Sequence, residues 1–136
     1  MKMSLEMYEN FFNSLKMGIT IVDRNDVIIA VNRLFGEMVQ KDPRQLVGNS
    51  VFLCHPEESR PAVQKLIDDF KKGTKTPYET WLNFRGRILR EQIYPIISEE
   101  GNYSGMVDML GDAADIAGYL KRLGEWKEIP VKGLKK

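Results

Sequence analysis

The strongest constraint on the fold is that strand-like segments stand in two groups, one towards each end of the chain. β-Branched and apolar residues fill 19–22 and 27–31, and the polar residues 23–26 between them favour a hairpin turn. Three further strands are predicted after Gly73, over 78–84, 88–97 and 105–110. Because separate groups would each leave a sheet edge unpaired, we expect them to meet in one antiparallel sheet. The helices between them would cover one face of that sheet, which predicts an α+β fold.

The helical segments are marked by apolar residues at intervals of three and four and by residues that cap helix ends. Residues 3–17 carry such a stripe and predict an amphipathic N-terminal helix. Asn32 is suited to cap a short helix, and Asp42 followed by Pro43 begins another. A longer helix is predicted over 57–72, because Gly73 is a typical C-terminal stop.

The composition limits the partners and the compartment. A chain of 136 residues fits one domain, and its net charge of +1 argues against a dedicated nucleic-acid partner. The longest apolar runs are far shorter than the roughly 20 residues that span a bilayer, so no membrane partner is expected. A single cysteine, Cys54, excludes an internal disulfide framework and fits a cytoplasmic location.

Three segments resemble the PAS domain family. Gly-Ile-Thr-Ile-Val-Asp at 18–23, followed by 27–35, resembles the opening strand pair and the asparagine-started helix of that family. Leu-Val-Gly at 46–48 resembles the step before the ligand-side helices, and 105–112 resembles the closing strand. The resemblance implies a PAS fold: a five-stranded antiparallel sheet covered on one face by helices, with a pocket between them.

A finer resemblance is to the PAS-like domain attached to hemerythrin-like modules in bacteria and archaea. It is carried by Leu-Cys-His-Pro at 53–56, by Ser59 and Val63, and by Trp81 with the closing strand. Taken together, the similar residues cover roughly 8–115, nearly the whole chain.

The resemblance implies a sensory module that binds a small molecule or cofactor, such as haem, flavin or a metabolite, or that simply dimerises. We expect an N-terminal helix over 1–17 as a possible homodimerisation element, a PAS-like sensor domain over 18–115 and a C-terminal tail over 116–136. An alternative is a ligand-free protein-protein interaction domain whose pocket is filled by side chains. The cofactor stays open.

Cys54 and His55 are the only thiol and the only imidazole in the chain, and they are adjacent. Both are good iron ligands, and imidazole is the usual axial ligand of haem, so a haem sensor with His55 or Cys54 as axial ligand is one hypothesis. Met106, Met109 or a gas would then be candidates for the other axial position. The alternative is that both residues only pack at the start of the helix.

Other pocket candidates lie on the predicted strands. Besides the two methionines, aromatic residues at Phe52, Trp81 and Tyr94 are expected to line a pocket. An inward-facing Arg90 would hold an anionic ligand, whereas an outward-facing one would be an ordinary solvated charge.

No enzyme is predicted. One histidine without an acidic partner makes a hydrolase triad improbable, and no phosphate-binding glycine loop occurs. The neighbouring carboxylates at 57–58, 68–69 and 99–100 point apart and read as solvated. A single His and a single Cys also make a non-haem metal site implausible.

Overall fold

The structure, a computed structural model, describes residues 1–132. Five helices occur in this part of the chain: α1 (Leu5–Ser14), α2 (Arg33–Val39), α3 (Pro43–Leu46), α4 (Arg60–Lys71) and α5 (Ala114–Arg122). The strands are β1 (Gly18–Asp23), β2 (Ile28–Val31), β3 (Tyr78–Phe84), β4 (Arg87–Ile97), β5 (Tyr103–Asp112) and β6 (Val131–Lys132). Two 3₁₀ turns, Val51–Cys54 and Glu57–Ser59, precede α4. No described helix is long and apolar enough to cross a bilayer.

The two groups of strands form one sheet, in the order β2-β1-β5-β4-β3-β6. The groups meet where β1 pairs antiparallel with β5, and Thr20 lies opposite Asp108 at the middle of this pair. The expected α+β arrangement, a five-stranded antiparallel sheet with helices and an N-terminal helix, is confirmed. The two-residue strand β6 pairs in parallel with β3. The sequence does not predict this strand, because so short a segment has no periodicity.

Helix starts follow the local capping chemistry. Asn32 accepts a hydrogen bond from Phe35 N at 3.0 Å and caps α2, and Asp42 accepts one from Arg44 N at 2.9 Å and caps α3. The long helix starts at Arg60, three residues later than predicted, because the residues before it form a 3₁₀ turn and Pro61 favours the first helical turn. The N-terminal helix is also shorter than predicted: Ser4 caps its start through Met7 N, and the backbone is extended at Leu15 after its end.

Most of the buried core lies on one face of the sheet. Val22, Ile28 and Met106 on the strands pack against Ile67 and Phe70 of α4. A second cluster joins residues of α2, β4 and β5, namely Met38, Leu89 and Leu110. We call the sheet face that carries these residues the inner face and the opposite one the outer face.

After α5 the chain returns to the far edge of the sheet. Trp126 meets Trp81 edge-on, with ring centroids 6.3 Å apart, and Asn83 Nδ2 donates to the carbonyl oxygen of Ile129 at 3.2 Å. Of the tail expected over 116–136, residues 133–136 lie outside the described part of the chain.

Candidate functional site

A cavity of about 700 Å³ lies between the inner face of the sheet and the helices. Ligand pockets commonly have volumes of roughly 300–1,000 Å³, so this one has room for a small molecule. Its sheet side includes residues of all five main strands: Thr20, Val22, Ile28, Leu82, Phe84, Leu89, Glu91, Ile93, Met106, Asp108 and Leu110. Its helical side includes Phe35, Leu46, Cys54, His55, Val63 and Leu66.

The 3₁₀ turn before α4 places both Cys54 and His55 in the cavity wall. His55 Nδ1 lies 2.9 Å from the carbonyl oxygen of Val51, which can only accept, so Nδ1 carries a proton and, in the neutral ring, Nε2 is the nitrogen with the lone pair. Burial raises the pKa of the Cys54 thiol, against an opposing effect of the positive charge of Lys41. The thiol is therefore protonated at neutral pH and a poor nucleophile.

Three of the predicted site residues line the cavity: His55, Cys54 and Met106. Phe52 is not among the lining side chains, and packs against the core cluster beside them. Arg60 Nε donates to the carbonyl oxygens of Phe52 and His55, at 2.9 and 3.3 Å, and so holds this turn in place.

The prediction that Trp81, Tyr94, Met109 and Arg90 line the pocket is corrected. Side chains alternate along a strand, and the cavity takes its residues from the other set, such as Leu89, Glu91 and Ile93 on β4 and Met106 and Asp108 on β5.

Contacts on the outer face account for two of these residues. Trp81 packs against Trp126, and Arg90 Nε donates to Glu79 Oε1 at 3.0 Å. The alternative reading of Arg90, an outward-facing charge, therefore describes its position.

A polar cluster on the inner face escaped the sequence analysis. Thr20 and Asp108 face each other across β1 and β5, and Glu91 lies on the neighbouring strand β4. Thr20 Oγ1 and Asp108 Oδ1 are fully enclosed and have no hydrogen-bond partner among residues 1–132. Burial, the negative charge of Glu91 and a hydrogen bond to Glu91 raise the pKa of Asp108 well above its ordinary value. The available signal was an aspartate within an apolar strand, on the same face as Met106.

The described residues contain no group of three or more His, Cys, Asp or Glu side chains that could hold a metal ion.

A second surface is the apolar side of α1. None of its residues is buried, and Leu5, Met7, Tyr8 and Phe11 are exposed. Tyr8, Phe11 and Phe12 border a shallow groove of about 270 Å³ that also includes Ile21 of β1 and Ala30 of β2.

The sequence has a recognisable family. A family model described as "PAS domain" matches residues 8–113. No curated protein matches the sequence.

Several solved structures have a similar fold. A C-terminal domain from Streptococcus mutans is 23% identical with a TM-score of 0.75, and the match covers 86% of this chain and 90% of that one. A sensory box sensor histidine kinase from Vibrio cholerae is 21% identical with a TM-score of 0.57, and the match covers 79% of this chain and 89% of that one. The phage VqmA–DPO complex is 19% identical with a TM-score of 0.59, and the match covers 88% of this chain and 57% of that one. At these identities the likeness concerns the fold.

Proposed function

This chain belongs to the PAS domain family, and from that premise we propose that it is a sensory module that binds a small molecule between its sheet and its helices. The observation that carries the proposal is the cavity of about 700 Å³. Protein interiors are normally packed with few voids larger than a water molecule, so an unfilled space of this size is suited to a guest. The similar VqmA structure, a complex with DPO, is consistent with such a role.

The proposed division of labour follows the chain. Residues 18–115 would form the sensor domain, residues 1–17 a homodimerisation element and residues 116–136 the tail. An isolated ten-residue helix is marginal in water, and α1 buries no side chain within the described chain, so a second copy is the proposed cover for its apolar side.

Ligand binding is tested by native mass spectrometry of the purified protein with a pair of variants in α4. Val63 lines the cavity, whereas the next residue, Gln64, is exposed. A small molecule retained by the wild type should be lost from Val63→Phe, which fills the space, and kept by Gln64→Phe. Bare wild-type protein from several preparations would contradict the proposal and favour the ligand-free interaction domain.

A second candidate is a haem sensor, favoured by the hydrogen bond of His55. Because Nδ1 is held by the carbonyl oxygen of Val51, Nε2 is available to ligate iron, which is the usual arrangement of a ligating histidine. The Cys54 thiol suits iron less well, since its raised pKa disfavours the thiolate. Met106 is available from the sheet side. Bound haem would supply a redox- or gas-sensitive iron centre.

Haem reconstitution tests this candidate. A Soret band that His55→Ala shifts or abolishes, and that Met109→Ala on the outer face leaves unchanged, would support it. Failure of the wild type to develop a Soret band would remove haem and leave small-molecule binding in place.

We further propose that the module is non-catalytic and cytoplasmic, with no nucleic-acid or membrane partner. The net charge of +1 argues against a nucleic-acid partner, and the lack of an evident acidic partner for the single histidine argues against a hydrolase. The finer relation to PAS-like domains attached to hemerythrin-like modules also stays a proposal, and a hemerythrin-like module encoded with this chain would support it.

A further inference from the structure

The chemistry of the ligand can be narrowed from the polar cluster on the sheet side of the cavity. Resting on the proposed sensory function, we propose that this site takes a small molecule with an apolar body and a positively charged nitrogen group, which binds Thr20, Asp108 and Glu91.

These three side chains converge by strand register. Thr20 and Asp108 are direct partners across β1 and β5, so their side chains stand side by side on one face. Asp108 lies opposite Ile93 of β4, and Glu91, two residues along, is its diagonal neighbour on the same face. All three line the cavity, so three oxygen-bearing groups meet at one point of its sheet side.

The cluster is incomplete in the protein alone. Thr20 is only 6% exposed, and its Oγ1 has no hydrogen-bond partner among residues 1–132. The same holds for Asp108 Oδ1. Buried polar groups are nearly always paired in native proteins, so these two atoms mark where a ligand group would complete the hydrogen bonds.

The charges around the cavity favour a cation at this point. The negative charge of Glu91 raises the pKa of Asp108, and both side chains are carboxyl groups. Lys41 and Arg85 also line the cavity. The positive charge of Lys41 acts to lower the pKa of the Cys54 thiol, and Arg85 donates a hydrogen bond to the side chain of Gln40. The other titratable lining group, His55, is held to Val51 O on the helical side. An anionic group at the cluster would meet Glu91, whereas a cation would be paired there.

The remaining walls suit an apolar body. Val22, Leu89, Met106 and Leu110 surround the cluster on the sheet side, and Val63 and Leu66 face it from α4. A ligand with a hydrocarbon or aromatic body would bury that body against these side chains.

Binding of a cation also has a proton balance. At any pH below the raised pKa of Asp108, this carboxyl holds a proton when the site has no ligand. A ligand cation that pairs with both carboxylates takes the place of that proton, which passes to the solvent. Affinity for the cation should therefore rise with pH towards the pKa of Asp108.

The test uses three probes with one body: 1-naphthylmethylamine, 1-naphthalenemethanol and 1-naphthoate. Their affinities for the wild-type full chain are measured by titration calorimetry at about pH 7, in two buffers of different ionisation enthalpy to detect proton release. Glu91→Gln is compared with Glu79→Gln, the same change on the outer face, where Glu79 pairs with Arg90.

We expect the amine to bind at least about tenfold more tightly than the alcohol, and the naphthoate to bind most weakly. Glu91→Gln should weaken the amine about tenfold and leave the alcohol unchanged, while Glu79→Gln changes neither. Equal affinities for amine and alcohol, or tighter binding of naphthoate, would overturn the cation assignment and leave the ligand-binding function standing. If none of the three probes binds, the cation assignment falls, and the native mass spectrometry of the wild type decides the ligand-binding function separately.

Discussion

At the residue scale, Asn32 does more than cap α2, because its side chain also holds other segments of the chain together. It is fully buried, and its Oδ1 accepts from Ile19 N at 2.8 Å and from Phe35 N at 3.0 Å. Its Nδ2 donates to the carbonyl oxygens of Phe12 and Met17, at 3.0 and 2.9 Å. One side chain thus joins α1, the segment after it, the start of β1 and the start of α2.

Asn32→Ala should lower the free energy of unfolding by about 3 kcal/mol, because it leaves several backbone groups without partners in a buried place. Asn13→Ala removes one hydrogen bond, from Arg33 N at 3.0 Å, and should cost about 1 kcal/mol. Urea unfolding of both variants measures the difference. Equal losses would show that the buried network contributes no more than a single exposed hydrogen bond.

Asp108 predicts a pH dependence with a definite sign. In the folded state its pKa is raised above 3.8, the ordinary value for an aspartate in the unfolded chain. The folded protein therefore keeps a proton that the unfolded chain has released. Between that value and the raised pKa, stability should therefore fall as pH rises, by up to about 1.4 kcal/mol per pH unit. Asp108→Asn should remove this slope, as urea unfolding from about pH 5 to about pH 8 would show.

Asp112 on the same strand is the matched control. A backbone hydrogen bond from Ala114 and the nearby Arg87 lower its pKa, so its contribution is complete at higher pH and is lost as pH falls below its ordinary value. Asp112→Asn should leave the slope above about pH 5 unchanged. An Asp108→Asn variant with the wild-type slope would contradict the raised pKa.

At the element scale, the contact between β1 and β5 depends on close backbone approach. Gly105 has φ 151° and lies where an added Cβ would overlap the carbonyl oxygen of Val22. Since β1–β5 is the pair that joins the two strand groups, this glycine allows the sheet to close. Elsewhere the elements are set locally: the hairpin between β3 and β4 turns on Arg85 and Gly86, both with positive φ, as a two-residue hairpin turn requires.

Gly105→Ala should destabilise the protein by at least about 2 kcal/mol, because the new methyl group meets backbone that cannot move aside. Gly101→Ala is the control: φ is 87°, but nothing lies within 4 Å of its added Cβ, so only the left-handed conformation costs about 1 kcal/mol. Thermal and urea unfolding compare the two. A smaller loss for Gly105→Ala than for Gly101→Ala would rule out the close approach.

At the scale of the whole molecule, the cavity and the apolar side of α1 lie in different places. The cavity is on the inner face, and the groove beside α1 includes Ile21 and Ala30 from β1 and β2. In β1 the residue before Ile21 and the residue after it, Thr20 and Val22, both line the cavity. Strand β1 therefore contributes side chains to both the cavity and the groove.

The dimer prediction is tested with one charge on α1. Phe11 is 54% exposed on the proposed contact, and Phe11→Glu should give a monomer where the wild type is a dimer. Tyr119→Glu on α5, where Tyr119 is 55% exposed, should stay dimeric. Size-exclusion chromatography with light scattering at high micromolar concentration gives the masses. A monomeric wild type would end the proposal.

The sequence alone determined the order of the main helices and of strands β1 to β5, since these depend on neighbouring residues, but not β6 or the exact ends of α1 and α4. Asn32 and Asp42 cap where they were expected to, because a side chain oxygen and the backbone N–H groups it accepts from are within three residues. The sheet was predicted because unpaired strand edges are unfavourable in any small domain.

Only the tertiary structure decided which side chains face the cavity. A shift of one residue moves a strand side chain to the other face, which is why Arg90 and Tyr94 lie outside while Glu91 and Ile93 lie inside. The meeting of Thr20, Glu91 and Asp108 depends on the register of β4 against β5, which a short turn joins, and of β1 against β5, which are distant in the chain. The turn between β4 and β5 can set their register locally, whereas the register of β1 against β5 is set by packing of the whole molecule and no local pattern encodes it.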